Sequence, residues 1–251
     1  MIKLLQIKIR EPMNKEETII YYLRNEDILN QDILHNYIYS NMNSNYYWSD
    51  DFSEEFYINL AKAGFISVSN YFDGQFLLLP ELQFEYALLD FRDLHISRKV
   101  KKLLNKNEYE LTFNENFDEL LINLETFHEN CWLTNKYIGL MQSLKNNSQK
   151  TCNFKILSTE LKCKKTNKLI AGEIGYIIGS TYTSLTGFCT KDKRYNNWGT
   201  LQLVLLAFYL QKQNFSFWNL GHAAMPYKLK LGAKVYTRED FLKRWLRDSN
   251  K

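Results

Sequence analysis

Apolar residues recur along this chain with two periods, and the stretch where the two-residue period is densest, Lys155–Phe188, organises the rest. Apolar and β-branched residues fill Phe154–Leu161, Leu169–Ile178 and Thr181–Phe188, with turn residues at 165–168 and at Gly179-Ser180 between them. Three such runs joined by short turns predict a buried antiparallel meander. Gly172, Gly175, Gly179 and Gly187 fall inside or beside the runs, where a missing Cβ marks a bulge or the close approach of another backbone or a ligand. One carboxylate, Glu173, stands among these apolar residues. The apolar run Thr200–Lys212 predicts a long helix covering one face of the sheet.

Before the meander, Ile2–Ile9 alternates like a strand and Glu16–Leu23 fits either type of element. Asp27–Ser40 repeats Ile28, Leu29, Ile33, Leu34 and Ile38 at helical spacing. Asp51 is placed to cap a helix that stops at Gly64, with Phe56, Leu60 and Ala63 on one face. Phe65–Ser69 and Gln75–Leu79 read as strands about the turn Asn70–Gly74, and Phe84–Phe91 as another strand. Leu94–Asn105 carries an apolar stripe of Ile96, Val100, Leu103 and Leu104, and Tyr109–Phe113 predicts a strand. Asn114 is the expected cap of a helix through Phe117, Leu120, Leu121, Leu124 and Phe127, and Lys136–Leu144 predicts another. After the long helix come a strand at Phe215–Asn219, a loop through Pro226 and a final helix from Thr237 with Glu239 and Asp240 in its first turn. Pro80–Gln83 marks the expected boundary between a small domain, 1–82, and a larger one, 83–251.

Composition narrows the class. The 251 residues are 45 % hydrophobic, enough to bury a real core. A net charge of +4 from 32 basic and 28 acidic residues restricts any nucleic-acid footprint to a local patch. Cysteines 131, 152, 163 and 189 form no CxxC pair and the four histidines are scattered, which suggests neither a disulfide framework nor a metal site. The start lacks the apolar core and cleavage site of a signal peptide, and the longest apolar run, Leu203–Leu210, is too short to span a bilayer. These features describe a cytoplasmic globular protein without a membrane partner.

From Leu94 onward a series of motifs has a familiar order: LHISRKVKKLL (94–104), CWLTNKY (131–137), ILSTELK (156–162), KLIAGEIGYIIG (168–179) and LGAKVYTREDFL (231–242). Their collinear arrangement resembles the leucyl/phenylalanyl-tRNA–protein transferases, which move an amino acid from its tRNA to a protein N-terminus. FSEEFYINLAKAGFIS (52–67) is similar to the helix and turn that open that family's small N-terminal domain. The resemblance implies an α+β fold, in which a GNAT-like acyltransferase domain follows a small N-terminal α+β domain. It also implies aminoacyl-tRNA as donor, a protein or peptide amine as acceptor, and no cofactor. Within WNLGHAAMPYK (218–228), Leu220-Gly221 followed by Met225, Tyr227 and Lys228 resembles the C-terminal signature of arginyl-tRNA–protein transferases, again with an aminoacyl-tRNA donor. The chain departs from the first family in carrying Pro80 and Glu81 where paired tryptophans stand. It has Leu185 at an acidic position of the third meander strand, and Asn219 and Gly221 near an aspartate and a glutamine.

Aminoacyl transfer from an ester needs a positioned neutral amine, a group to relay its proton and donors for the oxyanion. Glu160 matches a glutamate of the family motif and either orients the amine or a water, or is a polar residue on an edge strand. Glu173, in an apolar run, must face a cavity or a partner. Asn219 can hydrogen-bond but not act as a base; His222 can, or it is an ordinary loop residue. Trp132, Tyr176 and Tyr182 line an aminoacyl or adenine pocket or fill the core, and Ser184 is a further substrate contact on the third strand. Tyr227 and Lys228 meet the tRNA end or a carboxylate, or lie on the surface. Arg98, Lys99, Lys101 and Lys102 form either a phosphate-binding face or a solvated one.

Arg194 to Gly199 partly matches the pyrophosphate loop of acetyl-CoA enzymes, with Asn197 where the first glycine stands, so Arg194, Asn197 and Gly199 would hold phosphate. Two alternatives to the tRNA-dependent enzyme therefore stay open: an acyl-CoA-dependent N-acyltransferase, and a non-catalytic descendant that binds tRNA or a protein.

Overall fold

The computed structural model describes residues 6–9, 18–128, 132–147 and 153–251, with side chains from residue 20 onward. Cys131, Cys152, Glu16 and the first residues of the strand expected from Ile2 lie outside the described residues. The described residues form two compact units. The first gathers those up to residue 84 with 132–143 and 237–246; the second takes those of 85–131, 144–236 and 247–251.

In the first unit β1 (Gln6–Ile9) pairs antiparallel with β2 (Thr18–Tyr22). The single helix expected over Asp27–Ser40 is broken. Here α1 (Asn25–Leu29) ends at Asn30, whose extended backbone starts α2 (Gln31–Ile33), and α2 continues into a π-helical turn, Leu34–Tyr39. The Asn30 side chain accepts from the N–H groups of Asp32 and Ile33 at 3.0 and 3.2 Å, so a cap competes with the helical ladder. After β3 (Tyr47–Trp48), parallel to β2, comes α3 (Glu54–Lys62). Its cap is Ser53 rather than Asp51, because the Asp51 carboxylate accepts from the Ser53 N–H at 2.7 Å while Ser53 Oγ accepts from Phe56. Gly64, at φ +90°, ends it as expected. The hairpin β4 (Ile66–Phe72) and β5 (Gln75–Glu81) is longer than expected. Asp73 and Gly74 both take positive φ, which makes a two-residue turn of residues at 47° and 81° and leaves Asn70–Phe72 to the strand.

The second unit is built on a seven-stranded sheet. Its elements in chain order open with β6 (Glu85–Leu89), shorter than the strand expected over Phe84–Phe91, and α4 (Arg98–Lys106), capped by Ser97. Then come β7 (Tyr109–Phe113) and α5 (Phe117–Phe127). Asn114 does not cap α5; Asn116 holds that place, while Asn114 takes positive φ and its side chain accepts from the Ser158 N–H at 2.8 Å. After α6 (Asn135–Asn147), most of which belongs to the first unit, the meander follows as β8 (Phe154–Cys163), β9 (Leu169–Ile178) and β10 (Thr181–Cys189). The chain closes with α7 (Trp198–Lys212), β11 (Phe217–His222), α8 (Pro226–Leu231), β12 (Lys234–Thr237) and α9 (Arg238–Asp248), most of which belongs to the first unit. Pro226 thus opens a helix where a loop was expected, using the N1 position that needs no N–H.

The sheet order is β12-β6-β11-β10-β9-β8-β7. All the meander pairs are antiparallel, whereas β10 and β11 run parallel. Helix α7 buries Leu201, Val204, Leu206 and Leu210, each worth about 1.5–3 kcal/mol of burial, together with the smaller Ala207. It is apolar nearly all round, as a helix covered on several sides must be. Opposite it, α5 lays Leu120 against Gly172, where a Cβ would collide with the Leu120 side chain and the Thr159 carbonyl. Among the described residues no helix is long and apolar enough to cross a membrane.

Candidate active site

The parallel pair β10–β11 stays in register only where Thr181, Tyr182 and Thr183 face Phe217, Trp218 and Asn219. Beyond that, β10 bulges between Ser184 and Thr186, and β11 shifts register after Asn219 with Gly221 at φ +70°. The strands part, and a cavity of about 480 Å³ opens beside the first turns of α7. Its walls include Glu173, Ser184, Gly199, Gln202, Tyr227 and Lys228.

Glu173 is the centre of this cavity's polar network. Its Oε1 accepts from Tyr182 Oη at 2.8 Å and from Ser184 Oγ at 2.7 Å, and Gln202 Nε2 approaches Oε2 at 3.5 Å. Ser184 Oγ in turn accepts from Trp218 Nε1 at 2.8 Å. Burial pushes the Glu173 carboxyl up to about 7, against the opposing pull of the Ser184, Tyr182 and Gln202 bonds and the Lys228 charge. Lys228 is buried too, and burial lowers its ammonium to about 8, with the Glu173 charge working the other way. Its Nζ donates to the His222 carbonyl at 2.8 Å. Two glycines make the arrangement possible. A Cβ on Gly175 would overlap Tyr182 Oη and the Thr183 carbonyl, and one on Gly187 would press against Glu173 Cβ at 3.2 Å. An acid of near-neutral acidity, held by three donors and facing a buried cation across one cavity, can accept and return a proton at physiological pH.

Other candidate residues lie elsewhere. Thr159 stands opposite Glu173 in the β8–β9 register, so Glu160 points to the other face of the sheet. There it is buried and bonded by Ser158 Oγ and by Thr112 Oγ1 at 2.8 Å. Tyr176 shares that face, stacked on Phe154 with ring centroids 5.3 Å apart. Asn219, between Trp218 and Leu220 on β11, accepts from the Gly221 N–H at 2.9 Å, which braces the irregular turn of the strand, and its Nδ2 has no partner. The structure puts none of these three in the cavity, nor the exposed His222. Tyr182 lies beneath the cavity as a donor to Glu173. Trp132 belongs to the first unit, its ring edge-on to Tyr137 at 5.0 Å. Arg98, Lys99, Lys101 and Lys102 are exposed on α4. Asn197 caps α7 in the left-handed region at φ +69°, while the Arg194 guanidinium is held by Asp192 through Nε at 2.9 Å. Gln202, Trp218 and His128 were not expected here. His128 lines the cavity and sits 3.2 Å from Thr186 Oγ1 and the Gly187 carbonyl at the bulge.

A meander, a covering helix and a return strand that parts from its parallel neighbour over a buried carboxylate make up an α+β fold. The model of the family described as leucyl/phenylalanyl-tRNA protein transferase matches residues 88–246, and this chain belongs to that family. The leucyl/phenylalanyl-tRNA–protein transferase of Flavobacterium johnsoniae is 23 % identical over 159 residues, which cover 62 % of this chain and 69 % of the relative. Among solved structures, FemX is similar at 8 % identity and a TM-score of 0.47, over 92 % of this chain and 81 % of that one. L-PGS from Bacillus licheniformis is similar at 13 % identity and a TM-score of 0.39, over 66 % of this chain and 65 % of that one.

Proposed function

We propose that this chain transfers an aminoacyl group from a charged tRNA to an amine of a protein or peptide, with Glu173 handling the proton. The observation that carries this reading is a carboxylate brought to about 7 at the parting of β10 and β11, in a member of the transferase family. The ester that links amino acid to ribose is already activated, so no cofactor or metal is invoked. The amine nitrogen bonds to the ester carbonyl carbon, and the carbon–oxygen bond to the ribose then breaks. One proton must pass from the nitrogen to the departing ribose oxygen. As a carboxylate Glu173 takes it, and as an acid Glu173 gives it back. Lys228, with Nζ protons beyond the one bound by His222, offers a donor for the carbonyl oxygen while that oxygen carries charge. The exposed cations of α4 supply contacts to tRNA phosphates. A charged tRNA donor places the reaction in the cytoplasm.

The test is incubation with labelled aminoacyl-tRNAs and acceptor peptides. Wild type is expected to label the peptide, and Glu173→Gln to slow kcat by roughly 10²–10⁴-fold, the usual contribution of a positioned acid–base group. No transfer from any charged tRNA would refute the proposal.

A further inference from the structure

The first unit carries a cavity of its own, of about 280 Å³, lined by residues between Tyr21 and Tyr47 and so outside the stretch that matches the transferase family. It shares no lining residue with the Glu173 cavity. We propose that it binds a small neutral aromatic molecule bearing one hydroxyl or N–H group, with the Tyr47 hydroxyl as its hydrogen-bond partner.

The walls decide the class of ligand. Tyr21, Tyr22, Tyr37 and Tyr47 all contribute, and ring-to-ring contacts favour an aromatic guest over an aliphatic one of equal area. Leu23, Ile33 and Ile38 add aliphatic surface. Among the described lining residues only Asp27 carries a charge, and that charge is already met: Oδ1 accepts from Arg24 Nη2 at 3.2 Å and Oδ2 from Arg24 Nε at 3.3 Å. An ionic guest would give up its water without finding an unmatched opposite charge, so a neutral one is favoured. A cavity of about 150 Å³ holds benzene, and the larger volume here admits a ring with a short substituent or two fused rings.

One polar group on the wall lacks a partner. Tyr47 is 4 % exposed, and its hydroxyl has no hydrogen-bond partner among the described residues, whereas the Tyr22 hydroxyl donates to Asp50 at 2.7 Å. Buried polar groups are nearly always paired, and a guest hydroxyl or N–H supplies the missing partner because a tyrosine hydroxyl both donates and accepts. The backbone adds an independent sign. Tyr37 and Ile38 come from the π-helical turn Leu34–Tyr39 that follows the break at Asn30, and such turns, rare elsewhere, recur at functional sites.

Fluorine NMR on the full-length protein tests this, with 4-fluorophenol and its isostere 4-fluorotoluene, which cannot hydrogen-bond through the methyl group, as probes. Wild type should bind both at millimolar concentration or below. Tyr47→Phe should weaken 4-fluorophenol by roughly 2- to 12-fold, the range of one hydrogen bond, and leave 4-fluorotoluene unchanged. Tyr37→Ala, on an exposed position, should weaken both alike. The cationic 4-fluorobenzylammonium should bind more weakly than 4-fluorophenol. If neither probe binds wild type, or if Tyr47→Phe affects the two probes equally, the site is overturned. Tighter binding of the cation overturns the neutral class, and tighter binding of N-acetyltyrosinamide than of 4-fluorophenol replaces the small molecule by an aromatic side chain of a peptide. Should Tyr47→Phe not fold, Ile33→Trp, which fills the cavity, decides the matter: it should abolish binding of both probes, and binding that persists overturns the site. The readout requires no charged tRNA, so its outcome and that of the transfer assay are independent.

Discussion

Replacing Glu173 by glutamine should slow the transfer and, above neutral pH, make the protein more stable. In the unfolded chain this carboxyl has its ordinary value of 4.5, and burial in the native state raises it to about 7. Below pH 4.5 the acid is protonated in both states and imposes no penalty. Between 4.5 and 7 the native state binds the proton that the unfolded state has lost, so native stability falls as pH rises. Above 7 the full difference is present, about 3 kcal/mol at roughly 1.4 kcal/mol per pH unit. Glutamine removes the charge but keeps an oxygen for the bonds from Tyr182 and Ser184. Thermal unfolding followed from pH 4 to pH 8 should therefore show the two proteins together at the acid end. The variant should pull ahead by roughly 6–12 °C at the alkaline end, using about 2–4 °C per kcal/mol for a chain of this size. A difference between the two that does not change with pH would refute the reasoning, since only a titrating, desolvated carboxylate produces one that does.

The same pair predicts a narrow pH–rate profile: kcat/KM should climb as Glu173 ionises near 7 and fall as Lys228 loses its charge near 8, as macroscopic values of the pair. A profile flat from pH 6 to 9 would count against both roles. Ser184→Ala removes a bond that holds the Glu173 carboxyl down, so the acid limb should move to higher pH; a limb that stays put shows that Ser184 does not tune the acid. Glu160→Leu should leave kcat unchanged while denaturant unfolding shows a loss of about 1–3 kcal/mol, chiefly from the stranded Thr112 hydroxyl, since Ser158 Oγ keeps Asn114 Oδ1 as an acceptor at 3.2 Å. Gly175→Ala should drive Tyr182 off Glu173 and lose about 1–3 kcal/mol by overpacking, readable in the same unfolding assay.

What the sequence determined by itself was the scaffold around the site. A strand buried on both faces reads as a continuous apolar run, and Leu169–Ile178 falls where the pattern put it, as does the partly exposed edge strand Tyr109–Phe113. Gly64 and Asn197 take the left-handed backbone their residue types favour. Departures arose where a side chain competes with the backbone inside an unbroken period, as Asn30 does within the repeat of Ile28, Leu29, Ile33 and Leu34. Nothing local signalled that residues 132–143 and 237–246 would pack with the N-terminal segment, because that choice is made by contacts far apart in the chain. The site shows the division most clearly. Glu160 and Glu173 were both plausible carboxylates, and Gln202 and Trp218 looked like core residues of a helix and a strand. Only the register of β8 against β9 turns Glu173 toward α7 and Glu160 away, since side chains on a strand alternate faces. The bulge in β10, together with the packing of α7, then gathers Ser184, Trp218, Gln202 and Lys228 around the same carboxylate.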